Sequence, residues 1–144
     1  MTAGLSPERR VELLAVADRD ELIGLAERCA AVAPAPVVAG GPEVGSLLLA
    51  VREPVAGERF HLGDVLACRA EICVEGGAGW AVRLGDDRLA TLAAAVCDAE
   101  VDAGRPHAPL VVELCERTEV ALAAQHAREW DEVVPTVVAF EGLD

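Results

Sequence analysis

The chain has 144 residues, carries a formal net charge of −13 and is 53% hydrophobic. This length suits one domain with a hydrophobic core and is too short for two ordinary ones, so we expect a single domain over residues 1–144. A chain this acidic is repelled by phosphate backbones and anionic lipid, which makes nucleic acid and membrane surfaces poor partners. Apolar runs such as Leu47 to Val51 fall well short of the roughly 20 residues that a membrane-spanning helix needs.

The N-terminal residues show no apolar stretch followed by a small-residue cleavage site, so we expect a cytoplasmic protein. The five cysteines are odd in number and include no C-x-x-C pair, which fits neither a disulfide framework nor a zinc ribbon. We therefore expect all of them to be buried, reduced thiols. They are Cys29, Cys68, Cys73, Cys97 and Cys115.

Two short helices are predicted at the start of the chain. Ser6 followed by Pro7 has the form of an N-cap with proline at the first helical position, and this helix should run to about Ala17. Asp20 is predicted to cap a second helix that ends near Ala33. We expect the two helices to form a helical arm over residues 1–33.

A loop rich in proline and glycine should follow over residues 34–45, with a short extended piece near its start. From Ser46 the apolar spacing changes to that of strands, and the connections are short. Short connections predict an antiparallel meander over residues 46–84. Its strands are predicted at Ser46 to Glu53, Asp64 to Val74 and Gly79 to Leu84.

A helix over residues 87–103, capped by Asp86 or Asp87, should cover one face of this sheet. In the C-terminal part, residues 110–144, the run Leu110 to Val112 fits strand or helix. Cys115 to Trp130 is predicted to be a helix and Pro135 to Phe140 a final extended segment. Helices and an antiparallel sheet in this order predict the α+β class.

A series of residues in the central part of the chain points to a family. The series contains Gly57-Glu58-Arg59-Phe60-His61-Leu62-Gly63-Asp64, then Arg69, Gly79-Trp80, Gly85, Asp87, Ala90 and Asp98-Ala99. In this order and spacing it resembles the G subunit, PhnG, of the carbon–phosphorus lyase system for phosphonate use. The resemblance runs from the N-terminal helix to the predicted C-terminal strand. Family members often have arginine where this chain has Asp86.

The resemblance implies membership of a core assembly with the I subunit as the main partner, together with the H and J subunits. In that system the G, H and I components support displacement of adenine from ATP by a phosphonate, which gives a ribose 1-phosphonate 5-triphosphate. The nucleosidase-like centre is attributed to the I subunit and the iron–sulfur cluster to the J subunit. No catalytic residue, metal or cofactor is therefore expected in this chain. The residues of the series are expected to be structural or to form an interface, and they are Phe60, Gly63, Arg69, Gly79, Trp80, Gly85, Asp87, Ala90 and Asp98.

The residues themselves give little sign of independent chemistry. The glycine pairs do not match dinucleotide-binding or P-loop spacing, and the chain contains no lysine. His61, His107 and His126 are far apart and form no metal-binding pattern. We expect neither a nucleotide site nor a metal site.

Asp98, Glu100 and Asp102 fall within the predicted covering helix. Such a run of carboxylates most often marks a solvated helix face. Alternatively, Asp98 could pair with Arg69 on the sheet below and tether the helix to the sheet. In neither case would these residues form a catalyst.

Phe60 and Trp80 are two of only four aromatic residues in the chain. Each could anchor the core, where full burial of a Phe-sized side chain contributes roughly 1.5–3 kcal/mol, or could anchor an interface. The sequence as a whole favours an interaction subunit of a phosphonate-processing complex. The alternatives are a free-standing small enzyme or binding protein for a phosphorylated ligand, and a small-molecule-binding regulator that turns its acidic face to a basic partner.

Overall fold

The structure, a computed structural model, describes residues 4–136 of the chain. It has the predicted α+β architecture, in which an antiparallel sheet is covered by helices on one face. The elements follow one another as α1 (Pro7–Val16), α2 (Arg19–Ala30), β1 (Val37–Arg52), β2 (Arg59–Val74), β3 (Gly77–Leu84), α3 (Arg88–Asp102), α4 (Ala108–Val133) and a short 3-10 helix (Val134–Thr136).

Local signals determine where α1 and α2 begin. The Ser6 side chain accepts a hydrogen bond from the Arg9 amide and Pro7 follows it, as predicted. The cap of α2 is Asp18, which accepts from the amides of Asp20 and Glu21, so the prediction of Asp20 as the cap was wrong.

The two N-terminal helices do not form a separate arm. Leu13 and Leu14 of α1 and Leu22 and Cys29 of α2 are fully buried and belong to the main hydrophobic cluster. The guanidinium of Arg83 on β3 donates to the carbonyls of Leu14 and Ala17 at the end of α1. These helices are therefore part of the central packing.

The sheet has three strands in the order β1-β2-β3, joined as the predicted meander. β1 begins at Val37, whereas the prediction placed most of this segment in a loop. The glycines and the proline between Val38 and Glu43 are accommodated as register irregularities within the strand. β2 begins at Arg59, five residues before the predicted Asp64, so β1 and β2 together form a long hairpin.

α3 covers one face of the sheet, as predicted, and Asp87 is its N-cap. Half of its ten buried positions are alanines, which allows the helix axis to come close to the strands. Gly79 marks the closest approach, because a Cβ atom there would lie 2.2 Å from the Ala99 amide nitrogen. A residue with any side chain would push the helix off the sheet.

α4 is continuous from Ala108, so Leu110 to Val112 is helical and not a strand. Its first half packs on the core through Val111, Leu114 and Cys115. Pro135 and Thr136 belong to the 3-10 helix, and the remainder of the predicted extended segment lies outside the described residues.

Buried charge also holds the fold together. Arg105, after α3, is buried and donates to Glu100 Oε2 at 2.9 Å and to the carbonyls of Val32 and Pro34. This arrangement ties the segment after α3 to the turn that follows α2. Within residues 4–136, no helix has the length and apolar character needed to cross a membrane.

Candidate functional site

Asp98 is 3% exposed and joins three elements of the fold. Its Oδ1 accepts from Arg10 Nε of α1 at 2.6 Å, and its Oδ2 accepts from the backbone amide of Trp80 on β3 at 3.0 Å. One turn further along α3, Asp102 accepts from the amide of Ala78 at 3.0 Å. The two carboxylates thus occupy amide groups on the outer edge of β3, which otherwise would be free to pair with another strand.

Two predictions about these carboxylates were therefore wrong. Asp98 and Glu100 are buried and ion-paired, so they do not form a solvated face. Asp98 does not pair with Arg69, because Arg69 lies on the sheet face that points away from α3. There Arg69 forms an exposed ion pair with Glu43 of β1 and lies 3.8 Å from Glu71.

Asp87 links the start of α3 to α2. One carboxylate oxygen accepts from the Ala90 amide at 2.9 Å and the other accepts from Arg19 Nε at 2.6 Å. The Ala90 amide and the Arg19 guanidinium together lower the pKa of Asp87. Just before it, Gly85 has a φ of 96°, a conformation that favours glycine, and donates its amide to the carbonyl of Leu66 on β2.

The series of residues that carried the family resemblance thus divides into two sets. The first set builds the junction between α3 and the sheet and consists of Gly79, Gly85, Asp87, Ala90 and Asp98. The second set lies on the exposed part of the sheet and consists of Phe60, Gly63, Arg69 and Trp80. Phe60 is 45% exposed and Trp80 is 52% exposed, so neither anchors the core.

The sheet face opposite α3 is largely apolar, and no element within residues 4–136 covers it. Register places Trp80, Val82 and Leu84 of β3 on this face, next to Arg69 and Glu71 of β2. Leu84 and Trp80 are exposed, although they are large apolar side chains. An exposed apolar sheet face of this kind is typical of a protein-binding surface.

The same face continues along a two-stranded hairpin that projects beyond the body. β3 pairs with β2 only as far as Ala67, so no third strand joins the distal hairpin, residues 46–66, within the described part of the chain. An isolated two-stranded hairpin is at best marginally stable in water. On the open face the hairpin carries only apolar side chains and one glycine, namely Leu47, Leu49, Val51, Phe60, Gly63 and Val65.

The opposite face of the distal hairpin is mixed. It combines Leu48 and Leu66 with the polar side chains of Ser46, Asp64 and His61. The difference between the two faces gives the hairpin one side suited to burial against another protein. The signal in the sequence was the apolar run Leu47 to Leu49, which the strand prediction included. The prediction did not recognise that these side chains remain exposed in the strand.

Groups that could support chemistry do not converge in the part of the chain that the structure describes. No cluster of three or more His, Cys, Asp or Glu side chains there could hold a metal ion. His61 and His126 are exposed at distant places, and His107 lies at the start of α4. Four cysteines are buried free thiols, but Cys73 is exposed on the open sheet face, so the prediction that all five are buried was wrong.

Comparison with known proteins agrees with the resemblance. The family model of phosphonate metabolism protein PhnG matches residues 7–143, nearly the whole chain. The chain belongs to the PhnG family. None of the curated proteins matches it.

Membership of the PhnG family implies a role in phosphonate metabolism. For this PhnG protein, the structure separates the residues that position α3 from those that present an apolar surface. The surface, made of the open sheet face and the distal hairpin, is the candidate functional site. Its chemistry suits binding to another protein, because its large side chains are apolar and its charged residues Arg69, Glu43 and Glu71 neutralise one another in part.

Proposed function

We propose that the chain is a non-catalytic subunit of the carbon–phosphorus lyase core complex, a transferase-type assembly. In this role it binds the I subunit through the open sheet face and the distal hairpin, in a complex that also contains the H and J subunits. It supports the displacement of adenine from ATP by a phosphonate, with ribose 1-phosphonate 5-triphosphate as the product. ATP and the iron–sulfur cluster are bound by the partner subunits.

The observation that carries this proposal is the distal hairpin. Its apolar open face is continuous with the uncovered sheet face, and a two-stranded hairpin gains stability when a partner buries such a face. Family membership supplies the metabolic setting. A role without catalysis fits the described residues, among which the exposed histidines have no hydrogen-bonded nucleophile beside them.

The test compares single substitutions on the two faces of the hairpin. Leu49→Asn places an amide on the apolar open face, and Leu48→Asn places the same amide on the mixed face one residue away. We expect Leu49→Asn to lower co-purification with a tagged I subunit by about tenfold, equivalent to 1.4 kcal/mol, and Leu48→Asn to change it little.

Activity provides the second readout, with ATP and methylphosphonate as substrates and adenine release as the signal. The chain alone should release no adenine, and its addition to the partner subunits should raise the rate. Adenine release should fall in Leu49→Asn only as far as assembly falls. Robust adenine release by the purified chain alone would contradict the proposal. So would failure of the wild-type chain to co-purify with the I subunit.

A further inference from the structure

A second surface, separate from the open sheet face, lies on the distal half of α4. The first half of this helix is packed on the core through Val111, Leu114 and Cys115. From Glu119 to Pro135, however, every residue is exposed except the half-buried Leu122. Helices of this length owe most of their stability to the packing of an apolar face, and the described elements bury little of the apolar surface of this segment.

An apolar stripe runs along the outer side of this segment. We call it the α4 stripe, and its spacing of three and four residues is that of a coiled-coil seam. Val120 is 71% exposed and Trp130 is 65% exposed. The members of the stripe are Val120, Ala123, Ala127, Trp130 and Val134.

The α4 stripe faces away from the body of the protein. Thr118 lies on the packed side of α4, and Val120 follows it by two residues, which is about 200° around the helix. The stripe therefore cannot be covered by the elements on which α4 packs. The two alanines at its centre leave room for another backbone to come close, and Trp130 is of the residue type most enriched at binding hot spots. This shape fits a second helix.

Charge indicates what kind of helix would bind. The residues that border the stripe include the carboxylates Glu116, Glu119 and Asp131, and within the described residues an ion pair is formed by Glu119 alone, with Arg9 at 2.9 Å. Arg117 and Arg128 lie between the stripe and the packed side of α4, where they line a groove of about 620 Å³ toward α1 and α2, and Arg117 pairs there with Glu21 at 2.8 Å. The side chains next to the stripe are thus mainly acidic, and the nearest arginine, Arg117, is held in the groove by its ion pair with Glu21.

We infer that the α4 stripe binds an amphipathic helix of a different protein, with aliphatic residues along its seam and arginine or lysine on its flanks. A second copy of this chain fits poorly, because pairing two stripes would bring carboxylates against carboxylates in a chain whose net charge is already −13. The inference rests on the proposed function to the extent that the helix belongs to another subunit of the same complex.

The matched test uses two alanines of the same helix. Ala123→Glu puts a charge in the α4 stripe, and Ala121→Glu puts the same charge on the groove side, two residues away. The full chain is co-expressed with the H, I and J subunits, and the amount retained by a tagged I subunit is measured over a series of salt concentrations. We expect Ala123→Glu to lower retention by about tenfold at moderate salt and Ala121→Glu to leave it near wild type.

Charge-reversal variants test whether the partner helix is basic. Glu116→Arg and Asp131→Arg should each weaken retention. Glu129→Arg should not, because Glu129 lies on the side of α4 opposite the stripe. Added salt should weaken the wild-type interaction more than that of the two reversed variants. Equal retention of Ala123→Glu and wild type would overturn the inference while leaving the proposed function intact.

A wild-type chain that is not retained at all would contradict the proposed function, and the inference is then decided by synthetic peptides. A leucine-seam helix with arginine flanks should bind the wild-type chain and not Ala123→Glu, and the same helix with glutamate flanks should not bind. Absence of binding by both peptides overturns the inference. The inference is also overturned if analytical ultracentrifugation shows that the wild-type chain is a dimer and that Ala123→Glu is a monomer, because the stripe then binds a second copy of the chain.

Discussion

Arg10 and Asp98 form a buried ion pair, with Nε of Arg10 2.6 Å from Oδ1 of Asp98, although 88 residues separate them. Asp98→Ala should destabilise the chain by roughly 3–5 kcal/mol, because it leaves the Arg10 guanidinium buried without its partner and exposes the Trp80 amide. Denaturant unfolding followed by circular dichroism measures the loss. Arg10→Ala should cost a similar amount, and a double variant should cost less than the two losses added together.

Arg69 provides the contrast, since it forms its ion pair with Glu43 on the exposed sheet face. Arg69→Ala should change the free energy of unfolding little, because solvent screens an exposed ion pair. The same unfolding experiment measures it beside Arg10→Ala. A loss as large as that of Arg10→Ala would contradict the assignment of Arg69 to the surface.

These two arginines show where sequence reasoning succeeded and where it failed. Helix starts such as Ser6-Pro7 and the cap at Asp87 were predictable, because their signals lie within four residues of the element they start. The ion pair of Asp98 with Arg10 was not predictable, because no feature of the neighbouring sequence distinguishes Arg10 from Arg69 as its partner. Only the packing of α1 against the edge of β3 brings Arg10 into place.

The candidate site was predictable only in part. Spacing identified the strands of the meander, and the shortage of aromatic residues drew attention to Phe60 and Trp80. The exposure of these residues depends on which sheet face α3 covers. The alternation of side chains along β2 would allow α3 to cover either face. The length of β1 was missed because glycine and proline between Val38 and Glu43 are typical of loops, and the register irregularities that accommodate them are tertiary features.

Gly79→Ala should destabilise the junction between α3 and the sheet. Its Cβ would lie 2.2 Å from the Ala99 nitrogen and 2.3 Å from the Ala95 carbonyl oxygen, and both are backbone atoms that cannot move alone. We expect a loss of about 1–3 kcal/mol or more, as for other overpacked sites. Gly45→Ala in β1 is the matched control, because no atom lies within 4 Å of its Cβ position. Equal thermal midpoints for the two variants would show that the contact is not as close as described.

Asp87 should make stability depend on pH in the acid range. The amide of Ala90 and the guanidinium of Arg19 lower its pKa in the folded chain, so its contribution is present above the ordinary aspartate pKa and is lost as the pH falls through the lowered value. Asp87→Ala should therefore lower the thermal midpoint at pH 7 and lower it less at pH 3. Arg19→Ala should show the same trend with a smaller effect, because the bond to the Ala90 amide remains. A difference between Asp87→Ala and wild type that grows on acidification would contradict this role.

Cys73 should be the one thiol that reacts quickly in the folded chain. It is exposed on the open sheet face, whereas Cys29, Cys68, Cys97 and Cys115 are buried. Burial raises the pKa of Cys115 to about 11, so its thiolate, the reactive form, is scarce at pH 8. A colour reagent for thiols at pH 8 should give one fast equivalent and four slow ones, and all five should react at once in denaturant. Cys73→Ser should remove the fast phase alone. If the I subunit binds the open sheet face, the fast phase of the wild-type chain should also slow in the complex, whereas protection confined to the slow thiols would place the partner elsewhere.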